Sequence, residues 1–172
     1  MKAEEIKTIV VIGAGAMGQQ IAMNTVMNGR EHSYQVILCD SFEGAIGKAE
    51  KWASDYLSGR VAKGRLTQEE ADKIADCLTI TKDVDTAVSE ADFIIEAIIE
   101  NLEIKRELFR KISRICRPDA VLGTNSSNIV SSRLADVTVN PERLLNIHYF
   151  NPALVMQLVE LVKGGHTSEE TI

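Results

Sequence analysis

Thr8-Ile-Val-Val-Ile12-Gly13-Ala-Gly15-Ala-Met-Gly18 opens on a β-branched run and closes on three spaced glycines. The run Ile9 to Ile12 reads as a fully buried strand of a parallel sheet. The glycines follow with the spacing G-x-G-x-x-G. A helix pattern begins at once, Gln19 to Asn28, with Ile21, Ala22, Thr25 and Val26 on one face. Each glycine has a physical task. Gly13 permits the tight turn, Gly15 lets backbone approach a pyrophosphate, and Gly18 lets helix and strand pack closely. The first N–H groups of the helix and its positive dipole end then face the phosphates. Gly13, Gly15, Ala16, Met17 and Gly18 are the candidate contacts of this loop.

Such glycine spacings also arise by chance in plain strand–turn–helix units. The context favours a dinucleotide. The next strand pattern, Gln35-Val-Ile-Leu-Cys-Asp40, ends in an acid. Asp40 follows Gly18 by about 20 residues, the spacing at which a carboxylate meets the adenosine ribose. A carboxylate there accepts from the 2′-OH and repels a 2′-phosphate, which predicts NAD as cofactor over NADP. Capping the following helix is the plainer role for Asp40, and the two are compatible.

The 172 residues suit one domain, and 45% hydrophobic with 26% charged is an ordinary globular balance. The net charge of −6 argues against nucleic acid as main partner. No apolar run is long enough to cross a membrane, and the early first strand leaves no room for a targeting peptide before it. Cys39, Cys77 and Cys116 are odd in number and lack metal or C-x-x-C spacing. They read as reduced, buried thiols of a cytoplasmic protein, with no metal site.

Further along, helix one stops near Asn28-Gly29, and Arg30 to Tyr34 is a polar loop with a solvated His32. A helix is predicted from Phe42 to Leu57, with Trp52 as a packing residue. The cluster Arg60-Val-Ala-Lys63-Gly-Arg65 reads locally as a solvated helix end. Thr67 and Glu70 form a capping box for the next helix. Strands are predicted over Leu78–Thr81, Phe93–Ile98 and Val121–Thr124, with helices over Val84–Glu90 and Leu102–Cys116, whose apolar face is Leu108, Phe109, Ile112 and Ile115. The alternation predicts an α/β, Rossmann-type fold: an open, mostly parallel sheet with helices on both faces.

Ligands in such sheets bind beyond the carboxyl ends of the strands. That rule selects the glycine loop, Asp40, Glu100-Asn101 and Asn125-Ser-Ser-Asn128. One serine of the last group caps the following segment, leaving the others to face a ligand. Leu144 to Tyr149 and Val155 to Val162 both have strand character, with a turn at Asn151-Pro152. Pairing them could set His148 beside Glu160. A histidine oriented by a buried carboxylate is a good general base. Beside a dinucleotide, the matching reaction is alcohol oxidation. A structural histidine paired with a core acid fits the local sequence equally well.

Together these segments resemble the NAD-binding domain of the L-3-hydroxyacyl-CoA dehydrogenases, including the bacterial 3-hydroxybutyryl-CoA dehydrogenases. The resemblance is carried by Ile12–Gly18, Ile95–Lys105, Thr124–Ser127, His148–Pro152 and Met156–Glu160, in the family's order along nearly the whole chain. It implies His148 as general base, Glu160 as its orienting carboxylate, and Ser127 and Asn151 near the substrate oxygen. It implies Glu100 and Lys105 near the nicotinamide end of NAD, Asn125 in the same cofactor set, and Asp40 on the ribose. Lys63 and Arg65 are implied to meet the CoA moiety of an acyl-CoA substrate. The expected reaction is 3-hydroxyacyl-CoA + NAD⁺ ⇌ 3-oxoacyl-CoA + NADH + H⁺.

Three departures stand out. The family reads Asn-Thr-Ser-Ser where this chain has Asn125-Ser-Ser-Asn128. The loop Arg30 to Tyr34 looks longer than usual. The family continues into an all-helical domain that completes the acyl-CoA cleft and makes the homodimer. Residues 1–172 are therefore expected to be one Rossmann domain, cut before that domain, at a capping box spelled by Thr167-Ser-Glu-Glu170. Two other readings are a dehydrogenase of free hydroxy acids of the gulonate type, and a cofactor-binding module without turnover of its own.

Overall fold

The computed structural model describes residues 3–29, 32 and 34–172. Among the described residues, seven strands form one sheet in the order β3-β2-β1-β4-β5-β6-β7. They are β1 Thr8–Ile12, β2 Gln35–Cys39, β3 Leu78–Thr81, β4 Phe93–Glu96, β5 Val121–Thr124, β6 Leu144–Tyr149 and β7 Val159–Val162. The first six run parallel, and β7 is antiparallel to β6. The connecting helices are α1 Ala16–Asn28, α2 Glu43–Ala62, α3 Gln68–Asp76, α4 Val84–Ser89 and α5 Leu102–Ile115.

Side-chain alternation along β1 explains the two helical layers. Ile9 and Val11 pack in one core with Ile21, Met23 and Ile74 of α1 and α3. Val10 and Ile12 pack in the other with Phe109 and Ile112 of α5. Both faces of the strand are thus apolar, as its β-branched run requires. The chain winds outward from β1 to β3 and then returns to β4 on the other side of β1. That reversal opens a crevice at the carboxyl ends.

Register fixes which residues stand at the rim. Ile12 is level with Cys39 on β2 and Glu96 on β4, and Glu96 is level with Thr124 on β5. Thr124 is level with Asn146 on β6, and His148, further along β6, pairs with Glu160 on β7. Asp92 anchors the opposite end of the sheet. Its carboxylate accepts the N–H groups of Lys7 and Thr8 and pairs with Arg117 at 2.5 Å.

Several predicted boundaries shift for identifiable reasons. Helix α2 continues past Leu57 to Ala62, so the basic cluster begins inside its last turn. Gly64, at φ +63°, then ends it. Strand β4 stops at Glu96 rather than Ile98, because the Glu96 carboxylate accepts the Ile98 N–H at 2.8 Å and turns the chain. Strand β7 begins at Val159 rather than Val155. Ahead of it the N–H groups of Val155 and Met156 both bond the Pro152 carbonyl, just after a cis Asn151–Pro152 bond. On α5, Leu108 and Ile115 are only half-buried, while Lys105 takes a core position.

The capping box at Thr67 forms as predicted. The one at Thr167 does not. The Thr167 hydroxyl donates to the Leu144 carbonyl at 2.6 Å, and Ser168 precedes a single turn over Glu169–Thr171. Cys39, Cys77 and Cys116 are free thiols, and burial pushes Cys39 up to about 12, with help from the charges of Asp40 and Asp83. Among the described residues, no helix is long and apolar enough to cross a membrane. His32 is exposed and stacks on Tyr34, whereas the length of the Arg30 to Tyr34 loop rests on Arg30, Glu31 and Ser33, which lie outside the described residues.

Candidate active site

The glycine loop shows three distinct uses of a missing side chain. Gly13 has φ +108°, and a Cβ there would lie 2.5 Å from the Ala97 carbonyl oxygen. A Cβ on Gly18 would overlap the Gly13 carbonyl oxygen at 1.8 Å. Gly15 differs: among the described residues, nothing lies within 4 Å of its missing Cβ. Its bareness serves no packing need inside the chain and suits an approaching phosphate. Gly15 is also the N-cap of α1, and no side chain caps that helix. Its first N–H groups therefore present an anion site.

Asp40 stands at the next strand end. One carboxylate oxygen accepts the Ala14 N–H at 2.9 Å and the other the Phe42 N–H at 2.9 Å. It thus ties the glycine loop to the start of α2. A carboxylate has further lone pairs for ribose hydroxyls. Asp40, Gly13 and Gly15 line a cleft of about 890 Å³, whose far wall is Val84, Ile98 and Leu108. Apolar walls and a hydroxyl acceptor suit an adenosine; the bare Gly15 suits its phosphates. The residues present fit a dinucleotide.

Beyond the glycine loop the site changes character. Glu96 is fully buried, with 0% exposure, and lies level with Ile12. Its carboxylate accepts from Lys105 Nζ at 2.5 Å, Thr124 Oγ1 at 2.6 Å and the Ile98 N–H at 2.8 Å. Lys105 is itself 1% exposed and reaches Glu100 at 3.4 Å. Glu100 accepts from the Ser126 hydroxyl. Burial pushes the Glu100 carboxyl up, but the Ser126 hydrogen bond and the Lys105 charge outweigh it and hold it below the usual carboxylate range. Glu96 was not among the sequence candidates. Its signal was an acid ending an apolar strand, where a buried charge needs a partner.

Ser126 is the capping serine: its oxygen accepts the Ile129 N–H at 2.7 Å. Ser127 is left exposed at the rim. The Asn125 side-chain oxygen accepts the Tyr149 N–H at 2.9 Å, which binds the end of β5 to the end of β6. Asn146, another residue missed in the sequence, does the same deeper down, accepting from the Ser131 N–H at 2.7 Å and donating to the Ser126 and Ile129 carbonyls.

The histidine–carboxylate pair forms across β6 and β7. His148 Nδ1 lies 2.9 Å from Glu160 Oε2. An ionised carboxylate only accepts, so the proton of neutral His148 sits on Nδ1 and Nε2 is the free base. The Phe150 ring packs against the imidazole, with centroids 4.8 Å apart. One expectation is corrected. The Glu160 side chain is 50% exposed rather than buried, because β7 is an edge strand paired on one side only. Asn151 is exposed at the following turn.

Lys63 and Arg65 are both exposed just past the end of α2. They line a cavity of about 540 Å³ with Trp52, Tyr56, Pro152 and Leu154. Trp52 and Tyr56 stack at 5.4 Å, and Arg60 lies over the Tyr56 ring. The segment that follows His148 along the chain thus walls the basic cavity.

Residues 8–172 match the family model described as 3-hydroxyacyl-CoA dehydrogenase, NAD binding domain. The chain belongs to this family. The family model is that of an NAD-binding domain, and the cleft lined by Gly13, Gly15 and Asp40 has the shape and donors such a cofactor needs. The chain is 38% identical over 167 residues to a 3-hydroxyadipyl-CoA dehydrogenase of Escherichia coli, covering 97% of this chain and 34% of that one. It is 36% identical to a probable 3-hydroxybutyryl-CoA dehydrogenase of Bacillus subtilis, covering 97% and 56%. The crystal structure of an (S)-3-hydroxybutyryl-CoA dehydrogenase from Ralstonia eutropha superposes with a TM-score of 0.89 at 30% identity, covering 97% of this chain and 57% of that one. The chain thus spans between a third and just over half the length of these relatives.

Proposed function

We propose that the chain carries the cofactor half and the general base of an NAD-dependent L-3-hydroxyacyl-CoA dehydrogenase. The observation that carries this reading is the His148–Glu160 pair, 2.9 Å apart, standing on the strand beside the one that presents Ser127. A bound NAD would supply the hydride acceptor for the alcohol carbon. His148 Nε2 takes the hydroxyl proton, and Glu160 stabilises the imidazolium that forms. Ser127 and Asn151 hold the substrate oxygen. Asp40 and the Gly13–Gly18 loop hold the adenosine and pyrophosphate, while Glu100, Lys105 and Asn125 shape the nicotinamide end. Lys63 and Arg65 receive the phosphates of CoA, a local basic patch on a chain of net charge −6.

The names of the relatives and the cavity beside Lys63 favour a CoA thioester over a free hydroxy acid. We assign the acyl-chain wall and a homodimer surface to an all-helical domain beyond residue 172, and place the protein in the cytoplasm, where its free thiols stay reduced.

The test is NADH absorbance after acetoacetyl-CoA is added, with the chain alone and with its downstream sequence attached. A fall that depends on Lys63 and Arg65 is expected in at least the longer protein. NADH binding without a fall in either would make the chain a cofactor module. Oxidation of free hydroxy acids, indifferent to CoA, would move it to the gulonate type.

A further inference from the structure

Two carboxylates and one ammonium meet at the ends of β4 and α5. Glu96 is enclosed and saturated: backbone N–H, threonine hydroxyl and lysine ammonium occupy it. Lys105 is enclosed too, and its second contact is Glu100 at 3.4 Å. One positive charge faces two negative ones, so the trio carries a surplus of one negative charge. Glu96 has no exposed surface, whereas the Glu100 side chain is 41% exposed. The surplus therefore reaches the crevice through Glu100.

Strand order says which part of a dinucleotide meets it. Asp40 ends β2 and Gly15 follows β1. A dinucleotide that begins at Asp40 and crosses Gly15 continues over the ends of β4 and β5, toward His148 on β6. Glu100 and Ser126 stand on that path, so the nicotinamide half passes them. The two redox states of that ring differ by one positive charge. Resting on the NAD reading above, we propose that the Glu96–Lys105–Glu100 chain makes the cleft select the oxidised, cationic nicotinamide over the neutral reduced ring. Glu100 is the selecting charge. Lys105 and Glu96 are positioning residues: Glu96 neutralises and fixes the lysine, and the lysine fixes Glu100.

A purely structural role is the competing account. Glu100 precedes Asn101, the N-cap of α5, and a carboxylate there suits the helix dipole. That role affects stability and both cofactor forms alike. The discriminating variant is Glu100→Gln, which keeps the side chain's size and an oxygen for the Ser126 hydroxyl. Dissociation constants of NAD⁺ and NADH are measured by calorimetric titration. The ratio of NAD⁺ to NADH affinity is expected to fall about five- to tenfold, the scale of one unit charge acting over several ångströms at a wetted protein surface. The exposed neighbour Glu103, changed to Gln, is expected to leave the ratio where it is.

An unchanged ratio in Glu100→Gln overturns the proposal, as does an equal shift in Glu103→Gln. A wild-type chain that binds neither form overturns the cofactor reading itself. One that binds both, with an insensitive ratio, overturns only the charge selection.

Discussion

The two halves of the sheet treat a ligand differently. On the β1–β2–β3 side the site is made of backbone. Gly13 turns, Gly18 admits the helix, Gly15 stays bare, and one carboxylate holds the loop in place. On the β4–β7 side the site is made of side-chain pairs: Glu96 with Lys105, Glu100 with Ser126, and His148 with Glu160. The first half fits a shape and the second arranges charge. Adenosine and phosphate binding on the first half is expected to be separable from proton transfer on the second.

The strongest break is expected at His148. His148→Ala is expected to lower turnover by about 10²–10⁴-fold, the usual contribution of a general base. NADH affinity, read by its fluorescence, stays near the wild-type value. Undiminished turnover would take the chemistry away from the β6–β7 pair. Next is Lys105→Met, which leaves Glu96 buried and charged without its partner. About 3–5 kcal/mol of stability is expected to go, seen as a lower urea midpoint, with Glu96→Gln restoring part of it. A single variant as stable as wild type would mean that packing, not charge, holds this half.

The glycine loop sharpens the contrast. Gly13→Ala must place a Cβ 2.5 Å from the Ala97 carbonyl at a positive φ, so roughly 1–3 kcal/mol of stability is expected to be lost. Gly15→Ala meets none of the described residues and is expected to melt as wild type does. It is expected to bind NADH about tenfold more weakly, a cost of about 1.4 kcal/mol. The smallest effect is at Asp40. Asp40→Ala removes the acceptor for a ribose hydroxyl and the charge that repels a 2′-phosphate. The gap between NADH and NADPH affinities is expected to narrow several-fold, by fluorescence titration, and an unchanged gap would put the ribose elsewhere.

Legibility follows the same division. The glycine loop reads from sequence because strand, turn and helix are contiguous. The β6–β7 pairing was readable as two strand-like runs with a turn signal between them, although the connection over residues 150–158 is longer than one turn. Glu96 was not singled out, since its meaning depends on Lys105 and on Thr124, 28 residues away. Lys105 was implied by family resemblance alone; by periodicity it is a helix residue like any other. The two capping-box patterns make the point most directly. Thr67 keeps its local partners. Thr167 has the same pattern, but its oxygen accepts the N–H of Gly164 behind it, and its proton goes to the carbonyl of Leu144, a partner that no window of neighbouring residues contains. The exposure of Glu160 was missed for a related reason: burial at an edge strand depends on what covers the sheet, not on the strand's own residues.

Strand β7 has a further consequence. It is held by one neighbour only, and Leu161 and Val162 on it are largely exposed. Such an edge opens by local unfolding at a lower free energy than the central strands β1 and β4, so its amides exchange with solvent sooner. An opening there is expected to part Glu160 from His148, while the glycine loop and Asp40 stand on other strands. On the proposed function, the pair that orients the general base is then the least firmly held part of the site.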